Sequence, residues 1–407
     1  MAVLVRENRL SAAGIESMNL SGSTTMTTDQ RAKVLVVIGT LAHMGGAERQ
    51  ALYLVDHLSK LKGCEPSVLT FRDGSALGPS LEALGIAVHV LPYHDLWSRT
   101  RRARALAGLL VLLRRLKPDA ILPIGSPASK AMGLVLPWSG AGFCWWNQQD
   151  EGRGLTGTDV ERRILNRMSC ITSNSVAGKD FLSRTYGLAP EQILVYNNGT
   201  PLPDSAEATG EWRRKLGLGR RKIVTMIANL TSFKDHGTLF DAWPEVRDHF
   251  PGDEGPVLLL AGSLGEKVTV AKMKTKAFDL GLSSDDVRFL GAVDDIPSLI
   301  LDSDLIVHSS LKEGCPNAVC EAMSLSRAVI ATDIPGCRQA LGDADCLVAP
   351  SDPKALARGI IALLENEALR TRKGQLNRER IATQFSMEGM NRFFQEEFER
   401  GLGRSLS

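Results

Sequence analysis

The stretch from Ser309 to Gly336 reads SSLKEGCPNAVCEAMSLSRAVIATDIPG and carries two glutamates, Glu313 and Glu321, with Gly-Cys-Pro-Asn between them. On one continuous helix a spacing of eight is a little over two turns and would put both carboxylates on one face. Pro316 forbids that, because a proline inside a helix removes a hydrogen bond and clashes with the preceding turn. Cys315, directly before it, is biased to extended backbone. Pro316 itself suits the first turn of a helix, where its missing N–H costs nothing. The stretch therefore divides into a loop acid, Glu313, and a helix acid, Glu321. The free N–H groups from Gly314 to Asn317 offer an anion site between them, helped by the helix dipole. A carboxylate with two acceptor oxygens matches the vicinal hydroxyls of a ribose. Such parts suit a sugar at one end, phosphates in the middle and a nucleoside at the other. On spacing alone, a solvated loop acid followed by an acid favoured by the dipole fits too.

A second stretch, VVIGTLAHMGGAERQ (36–50), pairs Gly45 with Gly46 between a strand and a helix. Paired glycines let backbone approach a phosphate closely, and the following helix offers its N-terminus. It is not a G-x-G-x-x-G fingerprint, so a dinucleotide-dependent dehydrogenase is unsupported. A third, MIANLTSFKDHG (226–237), leads a strand to Asn229 and then to Lys234 just before a helix. The Asp302-Ser303-Asp304 triplet has the D-x-D form that holds a divalent metal in some sugar-transferring folds. It precedes the apolar run 305–308, at a strand's amino end, and reads as a turn. The seven histidines show no paired metal spacing, so no metal is expected.

These motifs need strands that end where they begin. Apolar runs at 33–39, 66–71, 86–91, 120–124, 142–147, 170–174 and 193–198 read as buried strands, with helical patterns at 46–61, 101–116 and 175–186 between them. The run PLPDSAEATGEW (201–212) breaks the pattern as a linker does. The same grammar restarts at 222–229, 256–262, 287–291, 305–310, 328–333 and 346–350. Apolar strands alternating with helices signal a parallel sheet covered on both faces. The chain thus reads as two Rossmann-like, doubly wound α/β domains, 31–203 and 204–384, facing across a cleft. A final helix, 385–407, carries Met387, Met390, Phe393, Phe394 and Phe398 near one stripe. Residues 1–30 read as a disordered leader.

The chain has 407 residues, 43% hydrophobic and 23% charged, enough for two sizeable cores. Its net charge of +2 argues against a general nucleic-acid binder. Seven scattered cysteines without C-x-x-C spacing suit reduced, buried thiols in a cytoplasmic protein. No run of 18 apolar residues is present. The segment WSRTRRARALAGLLVLLRRLKP (97–118) is basic and amphipathic. It reads either as a domain helix with solvated arginines or as a peripheral contact with an anionic membrane surface at the inner face.

The Glu313–Glu321 stretch resembles the signature of the family 4 retaining glycosyltransferases of GT-B fold, whose usual form is E-G-x-P-N-x-x-x-E-A-M. Glu313, Gly314, Pro316, Asn317, Glu321, Ala322 and Met323 match, and AVIATDIPGCRQAL continues the match. G-G-A-E-R resembles the family's first glycine loop. The resemblance runs from about residue 33 to the end.

It implies a nucleotide diphosphate sugar as donor substrate, a glycan or lipid-linked acceptor in surface polysaccharide or glycolipid synthesis, and no cofactor. Glu321 would take the ribose. Asn229 and Lys234 would take the diphosphate. Glu313 with Gly314, Cys315, Pro316 and Asn317 would take the sugar and phosphates, and Gly45-Gly46 would line the meeting point. Relatives usually carry an arginine where Asn229 stands, so one charge is missing. Many carry a histidine where this chain has Gln149 and Asp150. Asp150 would accept a proton or orient a hydroxyl, or else serve as a structural loop acid. Relatives are thought to let the leaving phosphate take the acceptor proton, which needs no strong enzymic base. Within the fold, the alternatives are a nucleotide-sugar epimerase or phosphorylase, for which the P-N-x-x-x-E spacing does not argue. A catalytically silent nucleotide-sugar-binding scaffold is another.

Overall fold

The computed structural model describes residues 31–41, 45–71, 78–91, 101–204, 207–252, 255–263 and 267–407. The expected leader 1–30, the glycine-loop residues 42–44 and residues 97–100 of the basic segment lie outside them.

Two parallel sheets carry the molecule. The first has strands β1 (Ala32–Ile38), β2 (Cys64–Thr70), β3 (Ala87–Val90), β4 (Ala120–Pro123), β5 (Phe143–Gln148), β6 (Cys170–Ser173) and β7 (Ile193–Val195) in the order β3-β2-β1-β4-β5-β6-β7. The second has β8 (Ile223–Ile227), β9 (Val257–Ala261), β10 (Val287–Gly291), β11 (Leu305–His308), β12 (Val329–Thr332) and β13 (Leu347–Val348) in the order β10-β9-β8-β11-β12-β13. These are the strands expected from the apolar runs, with ends shifted by a few residues. β1, β4, β8, β9 and β11 are buried along nearly their whole length, as strands covered on both faces must be.

In each sheet the strand order reverses once beside the first strand of the unit, between β1 and β4 and between β8 and β11. Connections leaving such a pair diverge to opposite faces and open a crevice at the carboxyl ends. The glycine stretch follows β1, Asn229 follows β8 and Glu313 follows β11, so all three motifs occupy switch points.

The last helix, Met387–Leu402, packs on the first sheet's core. Met390, Phe394 and Phe398 join the cluster of Val34, Val36 and Trp145, and the Phe398 and Trp145 rings meet edge-on at 4.1 Å between centroids. Leu406 is buried beyond it, and its carbonyl accepts from the Gly63 N–H at 3.1 Å. The run expected as linker ends early. A helix starts at Glu211, and Asp302 accepts from the N–H groups of Gly210 and Trp212. Asp304 likewise accepts from Ile223 N–H and pairs with Arg213, so both acids of the D-x-D bind backbone at the sheet's amino end.

Candidate active site

β11 ends at His308, and the chain then turns through Ser309 and Ser310, both buried, to Glu313, which is 6% exposed. One Glu313 oxygen, Oε1, receives Ser310 Oγ at 2.6 Å and His308 Nε2 at 2.9 Å, and pairs with Lys234 Nζ. Burial would raise the carboxyl pKa. The Lys234 ammonium and the His308 bond outweigh burial and hold it well below the usual carboxylate range. Burial holds His308 itself below its ordinary value, so the imidazole stays neutral and donates from Nε2. Lys234 reaches this position from a tight turn, Ser232–Lys234, that ends at Asp235 with φ +46°. Asp235 then caps the helix His236–His249 by accepting from Thr238 N–H. Leu311 N–H to Phe233 carbonyl, 2.8 Å, and Ser309 Oγ to Asp235 carbonyl, 3.1 Å, stitch the two loops together.

Pro316 stands at the N-cap, one residue before the helix Asn317–Ser324, with extended ψ of 96°. Glu321 therefore lies inside the helix while Glu313 lies in the loop, as the proline requires. Burial raises the Glu321 pKa, and the Arg49 guanidinium offsets this only in part. Cys315 is buried, its Sγ 4.0 Å from Cys320 Sγ.

Across the cleft, the helix Gly46–Ser59 brings Arg49 onto Glu321 and Gln50 onto Asn317. Asn317 Oδ1 accepts from Gln50 Nε2 at 3.1 Å and from Asn198 Nδ2 at 2.9 Å, and Gln50 also donates to the Gly199 carbonyl. Gly46 makes a close approach to the other domain. A Cβ there would stand 2.3 Å from Asn317 Nδ2, so the missing side chain admits a residue of the other domain. Gly45 supplies the extended N-cap, its carbonyl accepting from Arg49 N–H. Gly314 makes a matching approach from the other side: a Cβ would lie 2.5 Å from the Gln149 carbonyl and 2.7 Å from Asn174 Oδ1. Gly336, in the first turn of the helix Pro335–Leu341 after β12, sits under this loop, with the Glu313 and Gly314 carbonyls about where its Cβ would be.

The wall after β5 is built mainly of amides. Gln149 Nε2 donates to Asn147 Oδ1 and to Tyr196 OH, and Gln149 Oε1 accepts from Asn174 Nδ2. Buried amide atoms of Gln50, Asn147, Asn174 and Asn198 have no protein partner. Glu151 is the acid among them; burial raises its pKa, and its Oε1 has no protein partner.

Asp150 is engaged by its own loop. Its Oδ1 accepts from Gln148 Nε2 and from the Gly152 and Arg153 N–H groups, and Oδ2 faces Arg153 Nε at 3.4 Å. A carboxylate turned back on its own loop in this way clasps that loop, as the structural alternative for Asp150 describes. Asn229 is exposed, and its Oδ1 accepts from Ser263 N–H, tying the ends of β8 and β9. In the basic segment, Arg102–Leu116 is a helix whose Ala105, Leu109 and Leu113 pack inward, while Arg104, Arg114, Arg115 and Lys117 are exposed and Val111 is 67% exposed. Among the described residues no helix is long and apolar enough to cross a membrane.

Sequence reasoning missed Arg49, Gln50, Asn198 and His308. The helical face of Gly46, Arg49 and Gln50 was visible at the spacing i, i+3, i+4. What that face meets was not.

Residues 44–202 match the family model described as Glycosyltransferase Family 4, and residues 221–366 match the model for Glycosyl transferases group 1. The chain is 30% identical to the lipopolysaccharide core biosynthesis glycosyltransferase LpsE of Rhizobium meliloti, over 85% of this chain and 93% of that protein. It is 31% identical to N,N'-diacetylbacillosaminyl-diphospho-undecaprenol alpha-1,3-N-acetylgalactosaminyltransferase of Campylobacter jejuni, a match spanning 39% of each chain. The match to N-acetyl-alpha-D-glucosaminyl L-malate synthase of Bacillus anthracis, at 24% identity, spans 58% of each. Among solved structures, Anabaena HepE in complex with UDP and glucose superposes with a TM-score of 0.78 at 22% identity, covering 91% of this chain and all of that one. WaaG, a glycosyltransferase involved in lipopolysaccharide biosynthesis, superposes with a TM-score of 0.67 at 14% identity, covering 88% of this chain and 98% of its own.

Proposed function

Because the chain belongs to glycosyltransferase family 4 and has the two-domain GT-B architecture, we propose that it transfers a sugar from a nucleotide diphosphate sugar, with retention of configuration and without a metal, to a glycan or lipid-linked acceptor. The observation that carries this is the buried Glu313, held by Lys234, His308 and Ser310 beside the N-terminus of the Asn317–Ser324 helix. Glu313 is kept ionised next to an anion site, where it can accept hydroxyls of a donor sugar and stabilise positive charge growing at the anomeric carbon. Lys234, already at that carboxylate, would shift toward the leaving diphosphate as charge builds there. Glu321 would accept the ribose hydroxyls one turn farther on, and the N–H groups from Gly314 to Asn317 would face the phosphates. Asn229 would add a neutral donor through its amide nitrogen. The amides after β5 would present the acceptor hydroxyl from the other side. Domain closure would exclude water from the activated sugar.

The names of the Campylobacter and Rhizobium relatives favour a polyprenyl-diphosphate-linked or lipopolysaccharide-core acceptor. The exposed arginines of Arg102–Leu116 would then rest on anionic headgroups at the inner membrane face, placing the enzyme in the cytoplasm.

A thermal-shift screen of UDP, GDP and ADP sugars identifies the donor, because a ligand bound only to the native state raises Tm. Transfer to a lipid-linked acceptor is then followed with and without EDTA, and the anomeric configuration of the product is read by NMR. An inverted product, or loss of transfer in EDTA, overturns those parts of the proposal. Donor binding with no transfer to any acceptor would favour the silent scaffold.

A further inference from the structure

Lys234, the cation that the family resemblance assigned to the donor diphosphate, is bound to Glu313, and Asn229, which the resemblance assigned to the same diphosphate, is neutral. A nucleoside diphosphate would add at least two further negative charges beside the Asn317–Ser324 helix. Arg49 stands at that place. It projects from the first turn of the Gly46–Ser59 helix, on the face that Gly46 and Gln50 press against Asn317, and it meets Glu321 one turn into the facing helix. The Arg49 and Glu321 side chains are 27% and 20% exposed, so the pair is shielded yet open along one side. A guanidinium has five N–H donors in a rigid fork, and Glu321 engages Arg49 through Nη1. The remaining edge is suited to a phosphate.

We propose that Arg49 is the second cation of the donor site, holding Glu321 with one edge of its guanidinium and neutralising the donor diphosphate with the other. The inference rests on the donor reading above. Arg49 comes from the first domain and the anion-binding helix from the second, so the diphosphate is gripped fully only when the domains meet. The charge missing at Asn229 is thereby replaced from the opposite side of the cleft.

The test is a phosphate ladder. Calorimetric Kd values for uridine, UMP and UDP, and for the guanosine and adenosine series, are measured on the wild type, Arg49→Gln, Arg49→Lys and Asn229→Arg in the Arg49→Gln background. For the nucleoside series that binds, Arg49→Gln is expected to leave the bare nucleoside within about twofold and to weaken the diphosphate about 10- to 100-fold, the scale of a lost charge-assisted contact. The monophosphate should fall between them. Arg49→Lys recovers part of the loss and Asn229→Arg restores much of it. Arg49→Gln/Glu321→Gln leaves no unpaired buried carboxylate, and the diphosphate-selective loss must persist in it. Equal weakening of nucleoside and diphosphate would make Arg49 a partner of Glu321 alone and overturn the inference. A wild type that binds no nucleoside diphosphate or nucleotide sugar overturns the donor reading and this inference with it.

Discussion

The two walls of the cleft are made of different chemistry. On the second domain, Glu313, Lys234, His308 and Ser310 form a compact ionic cluster whose members fix one another. On the first domain, Asn147, Gln149, Asn174 and Asn198 form a largely neutral amide wall, with Glu151 as a half-buried acid whose pKa is raised. The ionic wall is preorganised around charge, which is what stabilising a charged transition state requires. The amide wall leaves donors and acceptors without protein partners, as a surface that binds hydroxyls or water would. Under the proposed function the two domains would divide the work: one wall for chemistry, the other for recognition.

The largest effect should come from the ionic wall. Glu313→Gln is expected to lower kcat by about 100- to 1000-fold, the scale of removing one preorganised electrostatic group, with a smaller loss in donor Kd from its hydrogen bonds to the sugar. A steady-state assay on the donor found by thermal shift reads it. Lys234→Met should do comparable damage and also leave Glu313 buried without its cation, costing about 3–5 kcal/mol in denaturant unfolding.

Next comes the seam between the walls. Gly314→Ala places a Cβ 2.5 Å from the backbone carbonyl of Gln149, which cannot swing aside. Overpacking of about 1–3 kcal/mol in the closed state should lower kcat/KM by roughly 5- to 150-fold with little change in the Tm of either domain. Gly46→Ala meets the amide end of Asn317 and should cost less.

The amide wall should be the mildest. Gln149→Ala removes neutral hydrogen bonds of about 0.5–1.5 kcal/mol and should lower kcat/KM for the acceptor about 3- to 10-fold. A loss as large as that of Glu313→Gln would erase the distinction between the walls.

The pH dependence sharpens the comparison without mutation. Glu313 is depressed, so the stability it adds is present above the ordinary carboxylate value of 4.5 and is lost as pH falls through its folded pKa. Glu321 is raised, so its charge costs stability, and acidification through its folded pKa, above 4.5, relieves that cost. In that upper window nucleotide affinity should weaken while the Glu321 contribution to Tm rises. Calorimetry and melting scans on the same buffers separate the two, and a parallel fall of both would contradict the assignment of Glu321 to the ribose.

Much of this was legible in the chain alone. The apolar runs of β1, β8 and β11 and the proline at 316 placed Glu313 in a loop and Glu321 on a helix. Asp150 was not legible, because a loop carboxylate shows its partners only when the loop is folded. His308 was hidden for a related reason: the apolar run marks it as buried but not that the chain turns back to bring Glu313 onto its Nε2. The glycine pair was read as a close backbone approach to a phosphate, and the approach on view is that of Gly46 to Asn317. Both uses need a residue without Cβ, and sequence does not distinguish them.

By itself the sequence determined what local sterics and periodicity control. That includes the two parallel sheets, the motifs at their switch points, the break at Pro316 and the apolar stripe of the last helix. The tertiary structure alone decided which charges meet. Arg49 and Glu321 lie 272 residues apart, and Gln50 and Asn317 lie 267 apart. No helical or strand period relates them. Their pairing exists because two independently wound sheets present their carboxyl ends to each other, and the energy of a charge depends on what stands beside it in space rather than along the chain.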